Sequence, residues 1–299
     1  MNLRGEPLAV GDRIHQETRE VSPEIVAFYC ETFGDFHPLY AKETAGLAGE
    51  TDFGSPIAPP LLYHSEVYRH IDRWYLKNLV GNLHARQEWL LFAPFRHDEP
   101  IVTRSTIVER YSKRGRDYVV NEVDYSDSSG RLCVRGRTHQ SFLAERVDAE
   151  AGFVVDRSSA AAKPRRPVGE GEGAEIEPRE WTVDREMCWR FSGPGRSYHT
   201  DEDEARKLGF PAIVVQGMLT TCMVSQIMGD AHGAGWFAGG RMDLKLTNVL
   251  WADERVRARG KVRSEVPEGS RVRRELEVWV EKDDPDRTVV SVGRASALL

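Results

Sequence analysis

The chain has 299 residues, 40% hydrophobic and 29% charged, a soluble globular balance with room for one large domain or two ordinary ones. Its net charge of -6 argues against nucleic acid as a partner, because a phosphate-binding surface needs a basic excess; an anionic ligand would need a local Arg/Lys cluster. Cys30, Cys133, Cys188 and Cys222 are scattered without zinc spacing or a disulfide framework, and no apolar run reaches the roughly 18–20 residues of a membrane span.

The opening MNLRGEPLAVGDRIH has no apolar h-region, so no signal peptide is expected and a cytoplasmic location follows. SPEIVAFYCETFG then predicts a short helix, followed by an irregular turn, a small acidic helix and a longer apolar helix over about Pro59–Val80. From Pro100 to Leu143 apolar and polar residues alternate between the turn signals Lys-Arg-Gly-Arg and Ser-Ser-Gly, which predicts antiparallel strands. Residues 148–178 are rich in Ala, Gly, Pro, Glu and Arg and short of large apolar side chains, the composition of a linker. Beyond it REMCWRFSG starts a second short helix, an acidic helix start follows, and a second apolar helix is expected over about Gln216–Ala231. The chain closes on strands, with Pro-Glu-Gly and Asp-Asp-Pro-Asp as their turns.

The two halves repeat one order of elements. TFGDFHPLYAKETA stands to the first as FSGPGRSYHTDEDEA stands to the second, and DFGSPIAPPLLYHSEVY matches GFPAIVVQGMLTTCMVS. Tyr40 lies 159 positions before His199, and Gly136-Arg137 lies 157 positions before Gly293-Arg294, so the offset is nearly constant over more than 100 residues. The reading is a duplicated α+β fold, with segments 1–147 and 179–299 joined by the linker 148–178. In each, a long helix would lie on a curved antiparallel sheet, and two sheets joined edge to edge would make one.

These residues resemble the MaoC-like dehydratases, the (R)-specific or type 2 enoyl-CoA hydratases, in their double-hotdog form. The family motif runs roughly G-D-x-N-P-[IL]-H-x-D, then Ala, Gly-Phe and an apolar stretch ending in His-Gly. The first half has Gly34-Asp35-Phe36-His37-Pro38-Leu39-Tyr40 and Ile57-Ala58-Pro59-Pro60; the second has Tyr198-His199-Thr200-Asp201, Ala205, Gly209-Phe210 and Gln216-Gly217. With LHARQEWLLFAPFRHDEP included, the resemblance covers most of the chain outside the linker. It implies reversible addition of water to a 2-enoyl thioester of coenzyme A or an acyl carrier, with no further cofactor. In the family an Asp and a His five residues later handle the water and protons, and a backbone N–H at the start of the long helix meets the enolate oxygen.

The chain departs from that pattern in both halves. The first keeps Asp35 but has Tyr40 at the histidine position and Pro60, which has no N–H, at the oxyanion position. His37 stands at the usual Asn, as a turn or packing residue or a further site residue. The second keeps His199 and Gly217 but has Pro194 for the aspartate and Arg196 for the asparagine. The resemblance therefore places the site in the second half, with His199 as base, Gly217 N–H as oxyanion donor, and Tyr198 positioning; Asp35 is carried as an acid approaching across the halves. Arg196 is a candidate for a substrate carboxylate, Asp201 for substrate or for a helix cap, and Gln216, Trp236 and Arg241 for the tunnel and the coenzyme phosphates. Two other readings stay open: a non-catalytic acyl-CoA or acyl-carrier binder or supporting subunit, and a thioesterase on the same fold. Gly-Pro-Gly at 193–195 and Gly-Ala-Gly at 233–235 do not follow a strand as nucleotide fingerprints do, no G-x-S-x-G elbow occurs, and the scattered histidines argue against a metal. A homodimer or higher oligomer is left open.

Overall fold

The computed structural model describes residues 8–40, 53–54, 56–75, 82–143, 154–156 and 167–299. In the first half, β1 (Arg13–Glu20) leads into α1 (Pro23–Phe33). Ser22 caps α1 by accepting from Ile25 N–H, Pro23 fits the first turn, and Gly34 ends it in the left-handed region at φ 62°. Strands β2 (Leu83–Leu91), β3 (Pro100–Lys113), β4 (Arg116–Ser126) and β5 (Leu132–Leu143) follow, the β3–β4 hairpin turning on Arg114 and Gly115. The small acidic helix expected after this turn lies outside the described residues.

The apolar segment after Pro59 does not form the long helix expected there. It runs through turns into a short 3₁₀ helix at His64–Tyr68 and the single-turn α2 (Ile71–Trp74), with His70 in the left-handed region between them; 76–80 lie outside the described residues. Its polar groups are tied to β1: buried Glu66 accepts from Arg19 at 2.9 Å, and His70 and Arg69 each lie 2.7 Å from Glu17. These tertiary ties, with Leu61, Leu62, Val67 and Trp74 buried, override the helical pattern.

In the second half β7 (Arg179–Val183) leads to α3 (Arg185–Ser192), capped by Asp184, then α4 (Glu202–Lys207), α5 (Met218–His232) and the single-turn α6 (Ala234–Phe237). Strands β8 (Arg241–Leu246), β9 (Glu254–Glu268), β10 (Arg271–Lys282) and β11 (Val289–Leu298) complete it. The second apolar helix is thus formed as expected. Twelve consecutive residues of α5, Met218–Gly229, are buried, which makes it the core of the molecule and not an amphipathic cover.

The described strands form one eleven-stranded sheet in the order β1-β3-β4-β5-β2-β8-β11-β10-β9-β7, with the short β6 (Val154–Asp156) parallel to β3. The halves join where β2 runs antiparallel to β8, pairing Trp89 with Met242, Glu88 with Asp243 and Arg86 with Lys245. Arg86 grips Asp243 with two hydrogen bonds of 2.6 and 2.8 Å across that seam. One apolar core spans both halves, from Tyr29, Phe33 and Trp89 to Met218, Ile227 and Leu276. Both glycines of the repeated Gly-Arg pair sit where a neighbour comes close: a Cβ would lie 2.5 Å from the Trp89 ring at Gly136 and 1.8 Å from the Asp243 carbonyl oxygen at Gly293.

The second part of the linker is not a free connection. Ile176 donates to the Gly260 carbonyl at 3.0 Å, Val262 donates to Ala174 at 2.8 Å, and Glu175 bridges to Lys261, so the chain extends the sheet beside β9 before β7 begins. Ile176, the large apolar residue of this stretch, packs on Gly260 and partly buries itself there.

Candidate active site

The turn before α4 is built by small hydroxyl side chains. Ser197 N–H donates to Thr200 Oγ1 at 3.0 Å, His199 N–H to Ser197 Oγ at 3.2 Å, and Thr200 Oγ1 to the Gly195 carbonyl at 2.8 Å. Val214 clips this turn to the approach of α5: its N–H donates to the Tyr198 carbonyl at 3.0 Å, and its carbonyl lies 2.7 Å from His199 Nδ1. A carbonyl only accepts, so Nδ1 carries the hydrogen and Nε2 of the neutral ring keeps its lone pair. Burial holds the His199 pKa down to about 4, against a small upward pull from Val214, so the ring is neutral at pH 7. The Tyr198 ring lies against it, centroids 4.0 Å apart, with Phe210 behind.

Gly217 stands three residues after Val214 as the N-cap of α5. Its N–H has no hydrogen-bond partner among the described residues, at the end of the helix where unpaired N–H groups favour negative charge. A Cβ here would fall 2.3 Å from Leu246 Cδ1. Beside it Gln216 Oε1 is buried without a partner, an acceptor facing no donor.

Several expected site residues lie elsewhere. Asp35 is buried beside Gln226, with Asp230 and Arg179 also in electrostatic reach, at the far turns of α5. Gln226 follows Gly217 by nine residues, roughly 14 Å along the helix, so Asp35 is not the acid beside His199. Burial raises its pKa to about 6, and Gln226 opposes the rise. Arg196 is exposed and pairs with Asp201 at 2.9 Å, while Asp201 caps α4 by accepting from Asp203 and Glu204 N–H at 3.0 and 3.1 Å. Neither reaches the His199 ring, because the cap holds both on the outer side of the turn. Asp201→Ala is therefore expected to cost about 1 kcal/mol in a urea titration, as loss of a helix cap does. Trp236 is fully buried and donates to Ser225 at 3.1 Å, so it is core and not a tunnel mouth. Arg241 is exposed on the sheet and pairs with Glu268 at 3.0 Å. His37 packs edge-on against Phe237, centroids 5.1 Å apart, and accepts from Leu39 N–H through Nδ1 at 3.2 Å, a packing and turn residue.

The structure adds two residues from the first half, Tyr68 and His84. His84 on β2 lies near enough to His199 for the two ring charges to oppose each other, and Tyr68, at the end of the 3₁₀ turn, interacts with Tyr198. Tyr68, His84, Tyr198 and His199 are each half-buried. Nothing in the sequence of β2 marks His84 beyond its place in the stretch LHARQEWLL; only the pairing of β2 with β8 brings it to the second half's motif. Among the described residues no three of His, Cys, Asp and Glu come together to hold a metal, and no helix is long and apolar enough to cross a membrane.

Residues 8–135 match the family model of the FAS1-like dehydratase domain region. No curated protein matches the chain in sequence. Over the whole length the fold is similar to a solved MaoC-like dehydratase, with a TM-score of 0.75 at 16% identity and 99% of each chain covered. A MaoC-like dehydratase from Phytophthora capsici gives a TM-score of 0.65 at 13% identity, covering 97% of this chain and 96% of that one. A conserved hypothetical protein from Mycobacterium tuberculosis with a double hotdog fold gives 0.64 at 14% identity, covering 100% and 98%. The first half thus matches the FAS1-like dehydratase region, and the chain as a whole has a double-hotdog fold similar to that of solved MaoC-like dehydratases.

Proposed function

We propose that the chain is a hydro-lyase that adds water to, or removes it from, a 2-enoyl thioester of coenzyme A or an acyl carrier, using no further cofactor. The observation that carries this reading is the presence of a neutral, half-buried His199, its tautomer fixed by Val214, which stands three residues before the unpaired Gly217 N–H at the start of α5. His199 Nε2 takes a proton from water as the oxygen adds to the β-carbon. The thioester oxygen becomes an enolate against Gly217 N–H, where the helix terminus offsets its charge. The imidazolium then returns that proton to the α-carbon, so one base closes the proton balance. Gln216 Oε1, unpartnered beside this point, is the acceptor for an N–H or O–H of the bound substrate.

The test follows the conjugated enoyl-thioester band of crotonyl-CoA and a methyl-branched unsaturated acyl-CoA with the purified chain. Catalytic loss of the band is the expected result. A second reading, a thioester binder without turnover, is favoured by Pro194 at the family's aspartate position. It would replace the first if acyl-CoA binds while the band persists.

A further inference from the structure

With proline at position 194, the water beside His199 lacks the carboxylate that the family motif places there. A second polar arm lies in the other half, where β2 meets β8. Tyr68 Oη lies 2.8 Å from His84 Nδ1, His84 Nε2 lies 3.2 Å from Gln87 Oε1, and Thr138 donates to that same oxygen at 2.7 Å. The proton positions follow from the far end of this chain of bonds. The Glu88 carbonyl only accepts, so Gln87 presents its amide nitrogen there, at 3.1 Å, and its oxygen to His84. His84 Nε2 must then carry the hydrogen, which leaves Nδ1 to accept from the Tyr68 hydroxyl. Gln87 and Thr138 are fully buried, so water does not compete for this arrangement. The Tyr68 hydroxyl thus donates to His84, which leaves its oxygen free to accept.

The sheet register carries this arm to the catalytic end of α5. Arg86, two residues after His84, faces Lys245, and the next residue, Leu246, is the one that packs on Gly217. The first residues of β2 and the N-terminus of α5 therefore share one end of the seam between the halves. His84 and Tyr68 accordingly sense His199 and Tyr198.

Resting on the hydration reading above, we infer that Tyr68, oriented by His84, is the second acceptor for the reacting water, in the place the family gives to its aspartate. One water hydrogen goes to His199 Nε2 and on to the α-carbon. The other points at Tyr68 Oη and stays on the oxygen as the hydroxyl hydrogen of the product. Tyr68 keeps its own proton throughout, so no group other than His199 changes charge. Tyr68 touches the reacting water; His84 is a positioning residue. The active site is then shared by the two halves, although only the second retains the motif histidine.

The experiment uses the full chain, crotonyl-CoA or the branched enoyl-CoA, and circular-dichroism melts to check folding. Tyr68→Phe is expected to lower kcat about 100-fold with KM within threefold, the scale of a lost acid–base or water-holding group. His84→Gln, which still offers Tyr68 an acceptor, should retain at least tenfold more kcat than His84→Leu, and Tyr68→Phe/His84→Leu should be no slower than the worse single variant. Wild-type kcat in Tyr68→Phe, a loss confined to KM, or independent losses in the double variant would overturn the inference while leaving the hydration reading in place. An inactive wild-type chain would remove both. Should Tyr68→Phe fail to fold, the His84 pair decides alone, equal kcat in Gln and Leu ruling the arm out.

Discussion

Alanine at position 199 is expected to lower kcat for enoyl-thioester hydration by roughly 10³-fold while acyl-CoA binding stays within a few-fold. The Nε2 lone pair is the one base the proposed reaction uses, and a positioned general base contributes about 10²–10⁴. Binding should survive, because the turn around the ring is held by Ser197, Thr200 and Val214 through bonds that do not need the imidazole, apart from the 2.7 Å contact at Nδ1. The same geometry fixes the pH dependence. A proton on Nε2 removes the base, and burial keeps the ring pKa near 4. The kcat/KM profile should therefore be flat between about pH 6 and 8 and fall as acid approaches pH 4, without the fall near 6.5 that an exposed histidine gives. Gly217→Pro is the companion: at φ -58° proline suits the backbone and removes the N–H, and its Cβ would meet only the end of the flexible Leu246 side chain. Loss of such a donor is worth on the order of 3 kcal/mol in the transition state. Stopped assays with both variants and calorimetric binding of an acyl-CoA check the pair. Turnover by His199→Ala within tenfold of wild type would show that the chemistry lies elsewhere.

The duplication, the single sheet and α5 are legible because they rest on pattern: period-two strands between turn residues, a nearly constant offset between the halves, and a mainly apolar run after Gly217. The segment after Pro59 carries a similar apolar pattern and takes another form, since what decides it is Glu66 and His70 reaching β1, a contact between residues nearly fifty positions apart. Site residues divide the same way. His199 and Gly217 belong to one continuous motif, and Val214, three residues before Gly217, bonds His199 Nδ1 through its carbonyl. Arg196, Asp201, Trp236 and Arg241 have the right chemistry near that motif, but the sequence does not say which way a side chain faces. Arg196 and Asp201 turn outward into a helix cap, Trp236 turns into the core, and Arg241 turns to Glu268. Tyr68 and His84 stayed hidden for the opposite reason. They lie outside the first half's own motif, and strand pairing across the seam carries them to the second half's site.

Acid should unfold this protein early. His15, His64, His84 and His199 all have pKa values held down by burial, to about 4, 3, 4 and 4. In the unfolded chain each binds a proton below about pH 6.5, whereas in the folded protein each refuses it until close to pH 4. Their contribution is therefore complete above pH 6.5, shrinks as pH falls, and levels off only below the folded values. Asp35 works against them: with its pKa raised to about 6 by burial, it takes up a proton in the folded state first and stabilises slightly as pH drops below 6. Glu17, lowered to about 2 first by its bond to Arg69, acts in a separate window below pH 4.5. Between pH 6 and 4.5, then, these four histidines oppose Asp35. Each refused proton costs up to about 1.4 kcal/mol per pH unit, so even at half that scale several kcal/mol are lost by pH 5, against a total stability of about 5–15 kcal/mol. At 2–4 °C per kcal/mol, the melting temperature should drop by about 10 °C or more between pH 7 and pH 5. His64 locates part of the effect. It stacks flat on Phe191, centroids 4.1 Å apart and planes 2° from parallel, where a first-half residue meets α3 of the second. His64→Phe keeps the ring and removes the proton site, so it should shallow the melting-versus-pH slope and raise stability most at pH 5. A melting temperature that holds steady from pH 7 to 5 would mean that these rings charge inside the fold, and that His199 is not the neutral base on which the proposed chemistry depends.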